Sequence, residues 1–562
     1  MTLASWLKKH RLVVIVAVAG VLYSLYLQEQ VISGVFFSGD AGLKAVLAKQ
    51  FCSGDFHLDL RLPADPWVLD LWHQGLYPFG PTFVYEMAGR YYAVFPAAFS
   101  AISAPFYALL GYRGLHVIPL VSVWVVWLTL VAVCRGLGLS DLGSAVALAI
   151  LVFASPLTMY SAMYWEHTLT VCLAFGGLAM ALLSQPRASG SRHAALGGLL
   201  VGLSVWFRTE QVCLVGVICA ALFVFRRLRD DYKHKVALIC GMLLPILLLA
   251  AFNQGVFGHP LGARSLWVSD KLRLYGRIER SRRILQSMCT ELLVYFPMVL
   301  FPAAGIVLSL LSRRVTLPRH VRIQFWGSVA FILSVALVLP NSGGKQWGPR
   351  YLLLLTPIAS LLTGAVMETV LGSVGVWGRR FAIAILLLLF GLGFYRNTCL
   401  GAPSLRDDYR GRVLPALDLV AEHESRIVVV AHQWISQEME SILDRKVFFR
   451  TLSADDLGRL AVALVDHGHR DFLYLTLDYQ AIPDDQEFRV GDDAMKIEFS
   501  GLGLHGSYLI YEARIIDQEG QGSESRCVEP PWPPEAFARA PRRRRPSPLT
   551  CGAEPVGRGG RS

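Results

Sequence analysis

Charge is what this sequence has least of. Only 17% of its 562 residues are Asp, Glu, Lys or Arg, where a soluble chain carries about a quarter. That scarcity excludes the string of solvated domains a chain of this length would otherwise form. Metal-ligand spacing is missing too. The ten cysteines are scattered, and Cys172, Cys213, Cys219 and Cys240 lie inside apolar runs, where Cys acts as a small hydrophobe. They spell neither a redox motif nor a zinc site. A cleavable leader is also lacking: the apolar run after Lys8, Lys9 and Arg11 ends at Gln28-Glu29-Gln30 without a small-residue cleavage site. It reads as an uncleaved first span. The net charge of +11 is no nucleic-acid signature, because the Lys and Arg fall in short clusters between apolar runs. No nucleic-acid partner is expected, and no internal repeat is visible.

Apolar length is what the chain has in plenty. Hydrophobic residues make up 54% of it and the mean hydropathy is +0.45. Runs such as 236–252 and 381–394 are about the length that crosses a ~30 Å hydrocarbon core at ~1.5 Å per residue. The expected fold class is an α-helical polytopic membrane protein with the bilayer as a partner. Spans are expected at 12–28, 115–134, 143–162, 168–184, 194–207, 211–225, 236–253, 291–312, 322–340, 351–371 and 379–396. The clusters Lys8/Lys9/Arg11, Arg187/Arg192, 226–235, 313–322 and Arg379/Arg380 belong in the cytoplasm by the positive-inside rule. Parity between these clusters removes the run 93–111, which carries Pro96 and Pro105, to a juxtamembrane or re-entrant position outside. It also bends 194–225 into two short helices at Phe207-Arg208-Thr209-Glu210-Gln211. The sum is about eleven spans in a bacterial inner membrane, N-terminus cytoplasmic and C-terminus periplasmic. One cluster breaks the pattern. Segment 264–283 holds six arginines and a lysine yet falls outside, so either the rule fails there or the cations hold something anionic.

Residues 1–396 thus form a membrane domain with a long first outer loop at 31–92. Beyond it the composition becomes that of a small extracytoplasmic α/β domain at 397–517. Helices are expected at 404–422, 436–443 and 454–467, and strands at 426–431, 446–450 and 471–477. The Pro-, Gly- and Arg-rich stretch 518–562 reads as a disordered basic tail.

Polar residues close to the membrane are the candidate site. In the first outer loop Ser38-Gly39-Asp40-Ala41-Gly42 opens a helix whose apolar positions Leu43, Val46, Leu47 and Phe51 recur at helical spacing. Asp40 is either its N-cap or a general base held at the bilayer edge for an acceptor hydroxyl. Glu166 and His167, in Met163-Tyr164-Trp165-Glu166-His167, are either interfacial anchors or face Asp40, orienting the acceptor or holding a metal. Arg208 and Glu210 lie near membrane depth, where ionisable residues mark a site unless they merely pair. The sharpest segment is Gly343-Gly344-Lys345-Gln346-Trp347-Gly348-Pro349-Arg350-Tyr351. Its glycines allow close approach to a ligand, and Lys345 and Arg350 offer cations to a phosphate. Snorkelling is the plainer account of that pair.

At these residues the chain resembles the C-type glycosyltransferases of the membrane, the superfamily of protein O-mannosyltransferases and the lipid A aminoarabinose transferase. Four features carry the resemblance: Asp40 at the head of a helix in a long first outer loop; the aromatic-Pro run 91–111; the acid Glu166 at the second outer loop; and Pro349-Arg350-Tyr351-Leu352 opening a late span. It covers about the first 400 residues. The resemblance implies a polyprenyl-phosphate-linked sugar donor, a lipid, glycan or protein acceptor, Asp40 as the catalytic acid/base, and inverting transfer. It places Lys345 and Arg350 on the leaving phosphate, and His167, Arg208, Glu210 and Tyr351 around the substrates. Where that family offers Asp in the second loop, this chain has Glu166, expected beside Asp40 as a catalytic residue. A divalent metal is an open alternative, and no other cofactor is indicated. The competing classes are a transporter or flippase of envelope precursors and a non-catalytic envelope-assembly protein.

Overall fold

The computed structural model describes residues 10–183, 190–224, 232–272, 277–312, 314–478, 480, 488–490 and 495–517. Lys8, Lys9, Arg187, Arg313, most of 226–235 and the expected tail 518–562 lie outside the described residues.

The apolar runs become helices. They are α1 (Arg11–Gln28), α2 (Gly39–Cys52), α3 (Ala97–Leu110), α4 (Val117–Gly136), α5 (Asp141–Phe153), α6 (His167–Leu183) and α7 (Gly190–Phe207). After these follow α8 (Val212–Val224), α9 (Tyr232–Phe257), α10 (Arg277–Tyr295), α11 (Leu300–Leu311), α12 (Arg319–Val338), α13 (Leu355–Ser373) and α14 (Val376–Phe394). Among the described residues, six helical segments are long and apolar enough to cross a membrane, or eight if two bent pairs each count as one span. The pairs are Asp141–Phe153 with Pro156–Ala162, bent by 52°, and Arg277–Tyr295 with Pro297–Leu311, bent by 100°. Each of the eleven expected spans falls on a helix or a bent pair. The shortfall has a physical cause: α6 and α8 are shorter apolar helices, and α7 opens on Arg192 and His193.

Outward faces of these helices are apolar, with Leu128 at 69% and Leu310 at 72% exposure, as suits a hydrocarbon solvent. Packing between helices relies on small residues. Gly198 and Gly202 of α7 lie against the Leu238 and Met242 carbonyls of α9, where a Cβ would stand 2.2–2.3 Å from those oxygens. This is the close approach that a small-xxx-small pair permits.

The run expected to lie outside the membrane core is α3. The chain reverses after it, with positive φ at Gly111 and Gly114 seated on the Phe106 carbonyl. Helix α3 packs on α2, and Ser100 Oγ donates to the Lys44 carbonyl at 2.9 Å.

The C-terminal region contains α15 (Leu414–Glu422), α16 (Gln433–Glu438) and α17 (Ala454–Asp466) beside a six-stranded sheet. A two-stranded antiparallel hairpin in the first outer loop supplies β1 (Val84–Met87) and β2 (Arg90–Ala93). The sheet strands are β3 (Ile427–Val430), β4 (Val447–Arg450), β5 (Asp471–Leu477), β6 (Phe488–Val490), β7 (Met495–His505) and β8 (Tyr508–Asp517), in the order β4-β3-β5-β8-β7-β6. β3 pairs parallel with β4 and β5, while β5–β8 and β6–β7 are antiparallel. The α/β alternation is as expected up to β5; the antiparallel strands after it had no counterpart in the sequence reading.

That region packs against the first outer loop. Residues up to Ile516 form one compact unit. Trp72 Nε1 donates to the Phe448 carbonyl at 3.0 Å, and the Gly80 N–H to Gln433 Oε1 at 3.0 Å. Gly42 touches the Gln437 backbone so closely that a Cβ would stand 1.8 Å from its carbonyl oxygen. The glycines beside Asp40 therefore let α2 dock on α16, and that docking aims Asp40 inward.

Candidate active site

Helix α2 begins at Gly39 with Ser38 in the N-cap position, so Asp40 is not the cap. Its carboxylate instead meets Arg350, whose Nη1 lies 3.4 Å from Asp40 Oδ2. One turn on, Lys44 shares the face of Asp40 and is 2% exposed. Its ammonium donates to Glu166 Oε2 at 2.5 Å. Arg208 Nη1 takes the other oxygen of Glu166 at 3.1 Å, and Arg208 Nε binds Glu210 Oε1 at 2.5 Å. Arg264 stands 4.0 Å from Glu210 Oε2. Arg208 and Glu210 thus do pair, but as links in a longer chain.

The rings of the site sit between these charges. The guanidinium carbons of Arg208 and Arg350 lie 5.1 and 5.2 Å from the Tyr351 ring centroid, and that of Arg350 is 5.9 Å from the Trp165 ring. His167 packs against Tyr160 at 5.3 Å and Trp165 at 5.1 Å. Cations gather here: Lys44, Arg208, Arg264 and Arg350 stand around Asp40, Glu166 and Glu210. Several buried polar atoms here have no partner among the described residues, namely Arg350 Nε, Arg208 Nη2, Trp165 Nε1, Tyr160 Oη and both His167 ring nitrogens. Leaving buried donors unmet costs about 1–3 kcal/mol each, so such a cluster is built to receive acceptor atoms.

Electrostatics keep the second-loop acid ionised. Burial works to raise the Glu166 pKa, but Lys44, His167 and Arg208 outweigh it and hold the carboxyl well below the usual glutamate range. The Lys44 ammonium is pulled the other way, its burial lowering its pKa against the attraction of Glu166 and Asp40.

Lys345 is in the neighbourhood but turned aside. It is ion-paired with Asp408 and lies 4.6 Å from the Phe37 ring centroid; Phe37 in turn meets Trp165 edge-on at 5.5 Å. Burial lowers the Lys345 pKa, with the Arg412 charge acting in the same direction. All eight residues singled out from the sequence gather at one end of the helices; the reading missed Lys44, which its four-residue spacing from Asp40 could have revealed. Of the arginine-rich segment, Arg264 joins the site, Arg280 is buried, and Arg282 and Arg283 pair with Glu279 on their own helix.

The carboxylates of the site lie against cations. Glu166 is held at both oxygens by cations, Asp40 by Arg350, and Glu210 by two arginines. Among the described residues no group of three His, Cys, Asp or Glu could hold an ion.

Directly after the two arginines an apolar groove of about 660 Å³ opens between α6, α8, α12 and α13. Val212 and Leu354, each four residues beyond Arg208 or Arg350, line its near end, and Ile323 and Leu182 its far end.

No sequence family and no curated protein matches this chain. Among solved structures it is similar to ArnT from Cupriavidus metallidurans bound to undecaprenyl phosphate, at 14% identity over 91% of this chain and 98% of that one, with a TM-score of 0.50. It is also similar to the Archaeoglobus fulgidus oligosaccharyltransferase in complex with Zn and sulfate, at 14% identity over 82% and 67% of the two chains, TM-score 0.52. The same enzyme tethered with an acceptor peptide aligns at 13% identity over 84% and 69%, TM-score 0.51. At such identity the likeness concerns the fold: this multi-pass chain has the fold of the C-type glycosyltransferases of the membrane.

Proposed function

We propose that the chain is an inverting glycosyltransferase that moves a sugar from a polyprenyl-phosphate donor to an extracytoplasmic acceptor. Its setting is a bacterial inner membrane, with the N-terminus cytoplasmic and the C-terminal region periplasmic. The observation that carries this reading is the set of buried donors on Arg350 and Arg208 that have no partner among the described residues, at the head of the apolar groove. A lipid phosphate satisfies both halves: its oxygens meet Arg350 and Arg208, and its chain fills the groove. The undecaprenyl phosphate bound by ArnT supports the choice of lipid.

Asp40 acts as the base in this reading. It takes the proton of the acceptor hydroxyl, whose oxygen bonds to the anomeric carbon. The bond from that carbon to the phosphate oxygen breaks, and its electron pair leaves with the lipid phosphate. Arg350 turns from Asp40 to that phosphate, which frees the base and stabilises the departing charge. A single displacement inverts the anomeric centre. Lys345 braces the turn through Asp408, and Lys44 fixes Glu166 beneath the site. A transporter would set its ionisable residues near the bilayer midplane; these gather at one end of the helices.

The test is binding of undecaprenyl phosphate against undecaprenol by the purified full chain, monitored by native mass spectrometry. The phosphate form should bind more tightly in the wild type and lose that advantage in Arg350→Ala. Equal binding of both lipids by the wild type would sink the proposal. For orientation, alkaline phosphatase fused after Asp517 should be active; an inactive fusion would reverse the assigned side.

A further inference from the structure

The turn that carries Arg350 does not hold its own shape. Gly343 and Gly348 adopt positive φ, of 104° and 74°, and with Gly344 they leave the backbone of 343–350 many paths to choose from. Arg350 must nevertheless start from one fixed place, since its guanidinium serves Asp40 and the phosphate in turn. The anchor comes from outside the turn. Trp347 Nε1 donates to Asn397 Oδ1 at 3.1 Å, and both side chains are buried. Gly348 lies flat against Tyr295 and Pro156, where a Cβ would stand 3.1 and 3.4 Å from their side chains.

Asn397 sits on the π-helical turn Tyr395–Cys399 that follows α14, an irregularity of a kind that often marks functional sites. Its Nδ2 lies 2.6 Å from the Tyr295 carbonyl, 2.9 Å from that of Gly393 and 3.3 Å from that of Ala154. Tyr295 closes α10 and Ala154 follows α5, and carbonyls at helix ends lack intrahelical partners. One amide therefore joins the last span to three segments that frame the site. They are the end of α10, the start of the second outer loop leading to Glu166, and the turn leading to Arg350. A carboxylate could not replace it, because an ionised Asp offers no N–H to the carbonyls. Arg396 strengthens the joint, its guanidinium carbon 5.6 Å from the Trp347 ring centroid and 4.5 Å from that of Tyr295. Neither Asn397 nor Trp347 lines the apolar groove.

We propose that Asn397 is a positioning residue for the transfer, acting through Trp347 to set where Arg350 meets the donor phosphate. The inference rests on the transferase reading and adds to it a residue outside the charged site. With Trp347 anchored, Arg350 turns from Asp40 to the phosphate without its backbone following. With Trp347 released, the turn spreads over several conformations. Only part of the population then presents the guanidinium, and affinity falls by that fraction.

The experiment measures the affinity of undecaprenyl phosphate and of undecaprenol for the full chain by native mass spectrometry. Trp347→Phe removes the indole N–H and keeps an aromatic ring against Tyr295 and Arg396. It should weaken undecaprenyl phosphate binding about two- to tenfold, the range one hydrogen bond supplies, and leave undecaprenol binding as it was. Asn397→Ala should act in the same direction and more strongly; where it fails to fold, Trp347→Phe decides alone. In the Arg350→Ala background Trp347→Phe should add nothing, whereas a bond that only stabilised the fold would weaken binding in either background. Unchanged undecaprenyl phosphate binding in Trp347→Phe, an equal loss for both lipids, or a loss that persists beside Arg350→Ala would each overturn the positioning role. Failure of the transferase reading looks different: the wild type itself then shows no preference for the phosphate lipid, and both readings fall. A wild-type preference that Trp347→Phe leaves intact removes only the role of Asn397.

Discussion

Two clusters of charge stand at the same end of this molecule, and their donors are met differently. Around Arg412, Lys345 and Arg412 meet Asp408 and Glu438, and Tyr508 Oη donates to Glu438. Arg412 grips Glu438 with two nitrogens at 2.7 Å, joining the segment after the last span to α16. Cations and carboxylates are equal there, and the cluster ties the C-terminal region down. Around Arg350 several buried donors, Arg350 Nε and Arg208 Nη2 among them, have no partner among the described residues. The contrast separates a clamp from a binding site: paired charge serves the fold, and unmet donors await a ligand.

Asp40→Asn is the sharpest way to break the comparison, because it alters the reaction without removing bulk. Transfer should fall about 10²–10⁴-fold with thermal stability unchanged. The same variant releases Arg350, so undecaprenyl phosphate should bind more tightly. Full transfer by Asp40→Asn would end the base assignment and move it to Glu166.

Next in size come Glu166→Gln and Glu438→Gln. Each strips one partner from a buried ion pair, which costs about 3–5 kcal/mol, and each should lower the unfolding temperature. Only Glu166→Gln should also change undecaprenyl phosphate affinity, since it frees Lys44 and Arg208. A change of affinity in Glu438→Gln as well would show that the clusters are not distinct. Acid should reproduce the first effect. Glu166 has a folded pKa below its usual 4.5, so its contribution is full above that value and is lost as pH falls through the depressed one. An unfolding temperature that stays flat on acidification below that value would contradict the pairing.

Arg350→Ala and Lys345→Ala should differ from one another. Loss of a charge-assisted phosphate contact costs about 1.5–3 kcal/mol, so Arg350→Ala should weaken undecaprenyl phosphate binding roughly 10–150-fold. Lys345 is 31% exposed and paired with Asp408. Its replacement should cost about 0–1 kcal/mol in stability and alter binding less than Arg350→Ala does. The reverse order would return the phosphate to Lys345.

Helix positions were legible because the bilayer imposes a local rule: a run such as 236–252 must be helical to meet its own backbone groups. That rule also brought the site segments to one side by counting crossings between cationic clusters. The pairings were not legible. Lys345 looked like a phosphate ligand because its partner Asp408 lies beyond the last span, 63 residues on. The strands β6, β7 and β8 escaped because a strand is made by its neighbour, and β8 pairs with β5 across more than thirty residues.

The sequence by itself determined that the chain is a membrane bundle, that Asp40 stands at the head of a helix in the first outer loop, and that cations gather near the outer ends of its spans. Those properties depend on periodicity and composition, which act over a few turns of helix. Tertiary structure alone decided that Arg350 reaches Asp40, that Lys44 and Arg208 share Glu166, and that Arg412 reaches Glu438. Such pairings join residues 26 to 310 positions apart, and only the packed fold brings their charges within a few ångströms, where burial makes them strong.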